Sequence, residues 1–348
     1  HAHHIIFASV VHCSSPRAFE RARAVSRVPT VPTESSHGDA RLVVDMPRLR
    51  PTSASWREGT GTKRLLCAYE YRPRPPARAL VVFLHGIGEH ATRYEKLFQK
   101  LLDAGVRVMT YDCVGHGASE GLSGYLDAFE DVVEDARGFC ERAREGRDGD
   151  EPLILCGQSF GGLVAATVAA NDAISGEGSI DGLILTAASI DVKWNAILRA
   201  QAAMGALLAR GAPKARLVPA VRLEDMSNDP ATLDSYATDP YVQLGPVRCK
   251  TAYEILRGFR MLRQRYRDVT CPLLALHGAE DACADKTASE RLVLEASSAD
   301  KQYIELPGMH HLILQEPGSA AVMNRIVRFV AGVASRESRA PRRLASKL

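Results

Sequence analysis

The chain has 348 residues, 46% of them apolar, with a formal net charge of +3. That length and apolar share can bury one large α/β core together with an insertion. Basic residues gather at the two ends, four Arg against two Glu in residues 1–34 and five basic residues against Glu337 in residues 336–348, a distribution that does not resemble a nucleic-acid footprint, so no nucleic-acid partner is expected. Eight cysteines without a C-x-x-C pair suit a reducing compartment and buried free thiols.

The chain begins at His1 rather than Met, as a fragment or a processed protein would. Ile5-Ile6-Phe7-Ala8-Ser9-Val10-Val11 is too short to span a bilayer, and the Arg-rich, acid-poor stretch after it reads as disorder or a misassigned start in preference to a transit sequence. Residues 1–55 are therefore expected to form a disordered or atypical extension. The folded α/β domain is expected over 60–335, with apolar strands at 80–84, 106–111, 153–156, 182–186, 273–277 and 303–306, and amphipathic helices at 128–145 and 320–333.

The first strand runs into His85-Gly86-Ile87-Gly88-Glu89-His90, a glycine-bracketed loop able to turn the N–H of Ile87 toward a neighbouring site. The strand at 153–156 meets Gly157-Gln158-Ser159-Phe160-Gly161 and then an apolar helical run. Strand, sharp turn and helix in that order expose a serine oxygen beside a helix N-terminus, which makes Ser159 a candidate nucleophile and the N–H of Phe160 a candidate oxyanion donor.

Residues 190–269 interrupt the alternation of strand and helix and are too long for a loop, so a helical cap is expected there. Trp194, Ile197, Leu198, Met204, Leu207 and Leu208 form one apolar stripe, and Ala252, Ile255, Leu256, Phe259 and Leu262 another. Packing on the sheet domain accounts for most of such a stripe, and contact with a membrane surface or an acyl chain for the remainder.

A serine hydroxyl needs an imidazole to take its proton and a carboxylate to orient that imidazole. The loop Gly278-Ala279-Glu280-Asp281 offers two acids and Gly308-Met309-His310-His311 two bases, each after a strand. Residue type and order leave Glu280 or Asp281, and His310 or His311, open. Cys283 falls close enough to this loop to be a modification target, while no spacing of His, Cys and acids suggests a metal site.

The glycine loop at 85–90, the run Tyr111-Asp112-Cys113-Val114-Gly115-His116-Gly117-Ala118-Ser119-Glu120-Gly121 and the elbow at 157–161 together resemble the monoacylglycerol lipase and lysophospholipase-like group of α/β-hydrolases, of the serine aminopeptidase S33 type. The resemblance implies a mostly parallel sheet flanked by helices, with the cap inserted before the strand that carries the acid. It nominates Asp281 from Gly278-x-x-Asp281, and His311 from Gly308-x-x-His311 with Glu316 five residues on. It also implies that Glu89, Arg93 and Tyr236 line the pocket of the leaving alcohol, while Leu314 stands where the animal enzymes carry a fourth residue, a His.

The activity implied is hydrolysis of an ester of one long acyl chain through an acyl-enzyme, without a cofactor. The alternatives on the same residues are lysophospholipid, hydroxycinnamoyl-ester or acyl-thioester hydrolysis. A non-catalytic receptor on the same fold is an alternative of another class. Ser159 at the elbow speaks against epoxide hydrolases and dehalogenases, which need Asp there. Ser346-Lys347-Leu348 is a peroxisomal import tripeptide at a flexible basic terminus, so in a eukaryote the import receptor is an expected partner and the peroxisome the expected location; otherwise the cytoplasm is.

Overall fold

The computed structural model describes residues 49–337, apart from 75, 147–149, 177–178, 193–195 and 220. The N-terminal extension through residue 48, Trp194, the side chains of 196–203 and the tripeptide Ser346-Lys347-Leu348 lie outside the described residues.

The strands β1 (Ser53–Glu58), β2 (Leu65–Tyr71), β3 (Ala79–Leu84), β4 (Val106–Tyr111), β5 (Leu153–Gln158), β6 (Gly182–Thr186), β9 (Leu273–Gly278) and β10 (Lys301–Leu306) form one sheet in the order β1-β2-β4-β3-β5-β6-β9-β10. Only β2 runs antiparallel to its neighbours, and the remaining pairs are parallel. Every residue of β3 and β5 is buried, as expected of strands covered on both faces.

Their side chains divide by the two-residue period of a strand. Leu80, Val82, Leu84, Leu153 and Leu155 join the cluster under α2 (Phe129–Glu145), α3 (Phe160–Ser175) and α7 (Lys286–Glu295). Val81, Phe83, Ile154 and Cys156 join the opposite cluster under α1 (Glu95–Asp103) and α8 (Ser319–Glu337). Each fully buried Leu or Val contributes about 1.5–3 kcal/mol, so the two clusters fix the heights of the strand ends from which the loops emerge.

The sheet begins earlier than the boundary at residue 60 expected from the sequence. Ser53–Glu58 pairs with β2 although 53–55 fall in the expected extension, because an edge strand with Trp56 as its one large apolar residue carries no hydrophobic pattern to read.

Between β6 and β9 the cap contains α4 (Ala196–Gly211), α5 (Pro230–Ala237) and α6 (Cys249–Arg263). It also holds the short antiparallel pair β7 (Arg216–Val218) and β8 (Val247–Arg248), so it is not wholly helical. Glu254 of α6 is fully buried, accepts the N–H of Phe129 at 3.1 Å and pairs with Lys250 at 2.9 Å, which fastens the cap to the start of α2. Asp191, at the entrance to the cap, binds Arg263 at its exit and Arg291 of α7.

Candidate active site

Ser159 sits between β5 and α3 with φ 53° and ψ −119°, a left-handed conformation that costs a non-glycine residue about 1–3 kcal/mol. Close packing forces the turn. A Cβ on Gly157 would stand 2.2 Å from the carbonyl oxygen of Gly161, and one on Gly161 would stand 2.2 Å from that of Leu84, so both positions must be glycine. The Ser159 N–H donates to the Thr186 carbonyl at 3.0 Å, and its own carbonyl accepts from Gly162 and Ser189, which holds the strained residue from three sides.

His311 Nε2 lies 3.0 Å from Ser159 Oγ, and its Nδ1 lies 2.8 Å from Asp281 Oδ2. Burial disfavours a charged imidazole here, but the charge and hydrogen bond of Asp281, with Glu89 and Glu316 nearby, outweigh it and hold His311 above its ordinary pKa. Burial works against the Asp281 carboxylate too, yet His311 and His277 keep it well below the usual carboxylate range. Its Oδ1 accepts the N–H groups of Cys283 and Ala284 at 2.8 and 2.9 Å. Of the residues left open by the sequence, these contacts gather Asp281 and His311. Glu280 donates its backbone N–H to the Met309 carbonyl at 3.0 Å, and the backbone N–H of His310 donates to Glu316 at 3.0 Å.

The glycine loop lies directly against the serine, since a Cβ on Gly86 would be 3.2 Å from Ser159 Cβ. His85 fixes its shape: Nδ1 donates to the Gly86 carbonyl at 2.8 Å and Nε2 accepts the Cys113 N–H at 2.9 Å. Burial pushes this imidazole down to about 4, so it stays neutral and keeps that tautomer near pH 7. Ile87 follows in the same loop, and Phe160 is the first residue of α3, where a backbone N–H has no partner within its own helix.

Glu89 is buried; its carboxylate accepts from the Tyr94 hydroxyl and from the Gly86 N–H at 3.3 Å. Arg93 stacks on the Tyr236 ring at 4.7 Å, and its side chain is only 6% exposed. Its Nη1 donates to Asp239 at 2.8 Å and to the Ser235 carbonyl, and its Nη2 donates to Gln315 Oε1 at 2.8 Å. Arg93 therefore ties the glycine loop to the cap and to the loop that carries His311. Leu314 is 2% exposed and belongs to the apolar cluster with Tyr94, Met309 and Ile313, so the polar group reaching Arg93 is the adjacent Gln315.

Three contributors were not identified from the sequence, and Cys283, placed near the site by its spacing, joins them there. His277 Nε2 lies 3.0 Å from Asp281 Oδ2, and Gln158 Nε2 donates to the His311 carbonyl at 3.1 Å. The Met226 carbonyl, in the cap, accepts the N–H groups of His311 and Leu312, each at 3.1 Å. Cys283 donates its thiol to the Asp225 carbonyl at 3.3 Å and groups with Asp281 and His311. His277 stands near the end of the buried strand β9, just before the loop that carries Asp281, and could have been suspected from its position; Met226 acts through its backbone and leaves no sequence signal.

A hydroxyl on an imidazole whose far nitrogen is held by a carboxylate is suited to nucleophilic attack on an acyl carbon. Residues 75–318 match the family described as Serine aminopeptidase, S33. The chain belongs to that family. Among its relatives is a monoacylglycerol lipase of Mycolicibacterium smegmatis, 28% identical over 262 residues that cover 75% of this chain and 90% of that protein. A caffeoylshikimate esterase of Arabidopsis thaliana is 28% identical over 250 residues, covering 70% of this chain and 74% of that one. The crystal structure of the Paleococcus ferrophilus monoacylglycerol lipase superposes with a TM-score of 0.68 at 25% identity, over 77% of this chain and 99% of that one. The fold is that of the α/β-hydrolases.

Proposed function

We propose that this carboxylic ester hydrolase cleaves esters of a single long acyl chain, monoacylglycerols foremost, through an acyl-enzyme. The observation that carries the reading is the continuous hydrogen-bond chain from Ser159 through His311 to Asp281 beneath a cap that presents Tyr236 beside Glu89 and Arg93. Ser159 Oγ attacks the ester carbonyl as His311 Nε2 takes its proton. The N–H groups of Ile87 and Phe160 receive the oxyanion, each worth about 2.7–4 kcal/mol in the transition state. The imidazolium then protonates the leaving alcohol, and water repeats the sequence on the acyl-enzyme.

Glu89, Arg93 and Tyr236 are the residues proposed to meet the alcohol. Leu314 in place of a histidine, with Arg93 Nη2 turned to the adjacent Gln315, favours a second reading in which the alcohol is not glycerol, and the caffeoylshikimate esterase relative supports a hydroxycinnamoyl ester as that substrate. Turnover of a panel of monoacylglycerols, lysophospholipids, phenolic esters and acyl-thioesters separates these readings. Absence of turnover on all of them would favour a binding protein.

The cap is also proposed to rest on a lipid surface. Met204 and Leu207, 61% and 71% exposed, share one stripe of α4, and Leu217, Val221 and Leu244 add exposed apolar area in the cap. Residues 192–222 carry six basic side chains, Lys193, Arg199, Arg210, Lys214, Arg216 and Arg222, and no acidic one, which suits an anionic bilayer. Among the described residues no helix is long and apolar enough to cross a membrane. Sedimentation with phosphatidylglycerol vesicles that is lost in Leu207→Ser/Lys214→Glu would support this contact, and equal binding to phosphatidylcholine would remove the charge argument. For a eukaryotic source we further propose peroxisomal import through Ser346-Lys347-Leu348, tested by fusing the last residues to a fluorescent protein and deleting Leu348.

A further inference from the structure

Cys283 is a nucleophilic side chain beside the site that the hydrolytic reading does not use. Its Sγ, a carboxylate oxygen of Asp281 and a ring nitrogen of His311 all lie within 4.8 Å of one another. The residue is half-buried, packs on the small cluster of Met226, Tyr236 and Leu312, and has no disulfide partner among the described residues. Burial, and after it the carboxylates of Asp281, Asp225 and Glu316, push the Cys283 thiol well above its ordinary pKa; the three carboxylates around Sγ favour a cation there.

We propose that Asp281, Cys283 and His311 form a capture site for a thiophilic divalent cation, Zn²⁺ or Cd²⁺, and that its binding switches the hydrolase off. Sulfur, imidazole nitrogen and carboxylate oxygen are the donor set of four-coordinate zinc, with bonds of about 2.0–2.3 Å. Ligand atoms within such a sphere stand about 3–4 Å apart, so a small turn of the Cys283 side chain brings the three into range and leaves one position for water. A thiolate ligand selects soft cations over Mg²⁺ and Ca²⁺.

The protons balance as follows. The cation bonds to Sγ, and the thiol proton leaves to solvent. The cation also bonds to His311 Nδ1, whose proton moves to Nε2, so the imidazole stays neutral. Asp281 exchanges its hydrogen bond from Nδ1 for a bond to the metal. Nε2–H then faces Ser159 Oγ across the 3.0 Å gap as a donor and can no longer accept the hydroxyl proton. Occupancy of the site and loss of the general base are thus one event.

The inactivation rests on the role proposed for His311, whereas cation capture itself does not, and the test separates them. Cd²⁺ titrated into the full chain is followed by the ultraviolet thiolate-to-cadmium band and, in parallel, by fluorophosphonate labelling of Ser159. The expected result is a saturable band of one thiolate per chain, a parallel loss of labelling reversed by EDTA, and no effect of Ca²⁺ or Mg²⁺. Cys283→Ala should remove the band and raise the half-inhibitory Zn²⁺ concentration at least about tenfold, because loss of even an outer-shell partner weakens metal binding that much. Cys271→Ala, a half-buried thiol elsewhere, should change neither. A band that persists in Cys283→Ala, equal inhibition of wild type and variant, or absence of any band in the wild type would overturn the proposal. A band without loss of labelling would leave the cation site standing and overturn its inhibitory role. If Cys283→Ala does not fold, Cys283→Val with the same two readouts decides.

Discussion

Asn in place of Asp281 should cost far more than one hydrogen bond. Oδ1 of Asp281 receives two backbone N–H groups, from Cys283 and Ala284, so the asparagine oxygen must take that place and its NH₂ must face His311 Nδ1. A donor opposite Nδ1 drives the ring proton to Nε2, where it points at Ser159 Oγ instead of accepting from it. Loss of a neutral hydrogen bond alone would be worth about 1 kcal/mol, roughly a fivefold effect. The wrong tautomer costs about 10⁴-fold in kcat, or about 5.4 kcal/mol at 1.36 kcal/mol per decade. Steady-state hydrolysis of a monoacylglycerol distinguishes these magnitudes, with the melting temperature as the check on folding. The acid limb of kcat/KM gives a second readout. Hydrolysis needs neutral His311, whose pKa is raised above 6.5 chiefly by Asp281 against the opposing effect of burial, so activity in the wild type should rise with a midpoint above 6.5. In Asp281→Asn that support is gone and the midpoint should move down. A loss smaller than about tenfold, or an unmoved acid limb, would refute the role assigned to Asp281.

His310→Ala should retain activity within about an order of magnitude, while His311→Ala should lose several orders, because only His311 reaches Ser159 and Asp281; equal losses in steady-state assays would contradict the assignment. Gly161→Ala should fail to fold or lose more than about 2 kcal/mol in denaturant unfolding, since its Cβ would meet the carbonyl oxygens of Leu84 and His85 at 2.2 and 2.6 Å. Leu314→His should destabilise by roughly 2–5 kcal/mol and leave the preference for glycerol esters unchanged, because the side chain is buried among apolar neighbours; a stable variant with stronger glycerol preference would show that position 314 faces the alcohol.

The elbow was legible because its chemistry is local: two glycines four residues apart, an apolar run before and another after are all needed for a strained serine, and all lie within one short segment. The choice of Asp281 over Glu280 and of His311 over His310 was not local. It rested on family spacing, and the hydrogen bonds that single them out join residues 152 and 30 positions apart. The support from Gln158 and the Met226 carbonyl was invisible for the same reason, since each acts across a loop closure that only the fold supplies. The strand β1 and the pair β7 and β8 escaped because short edge strands need little apolar content. At Leu314, a position matched by spacing, the side chain lies in the core, and Arg93 bonds the adjacent Gln315, a contact that spacing alone does not reveal.

The central claim is that Ser159 is the nucleophile of an ester hydrolase. A fluorophosphonate probe applied to the full chain, with peptide mapping of the adduct and a parallel assay of monoacylglycerol hydrolysis, tests it directly. One adduct, on Ser159, should form, and Ser159→Ala should abolish both labelling and hydrolysis with the melting temperature nearly unchanged. Labelling or turnover that survives in Ser159→Ala would contradict the account.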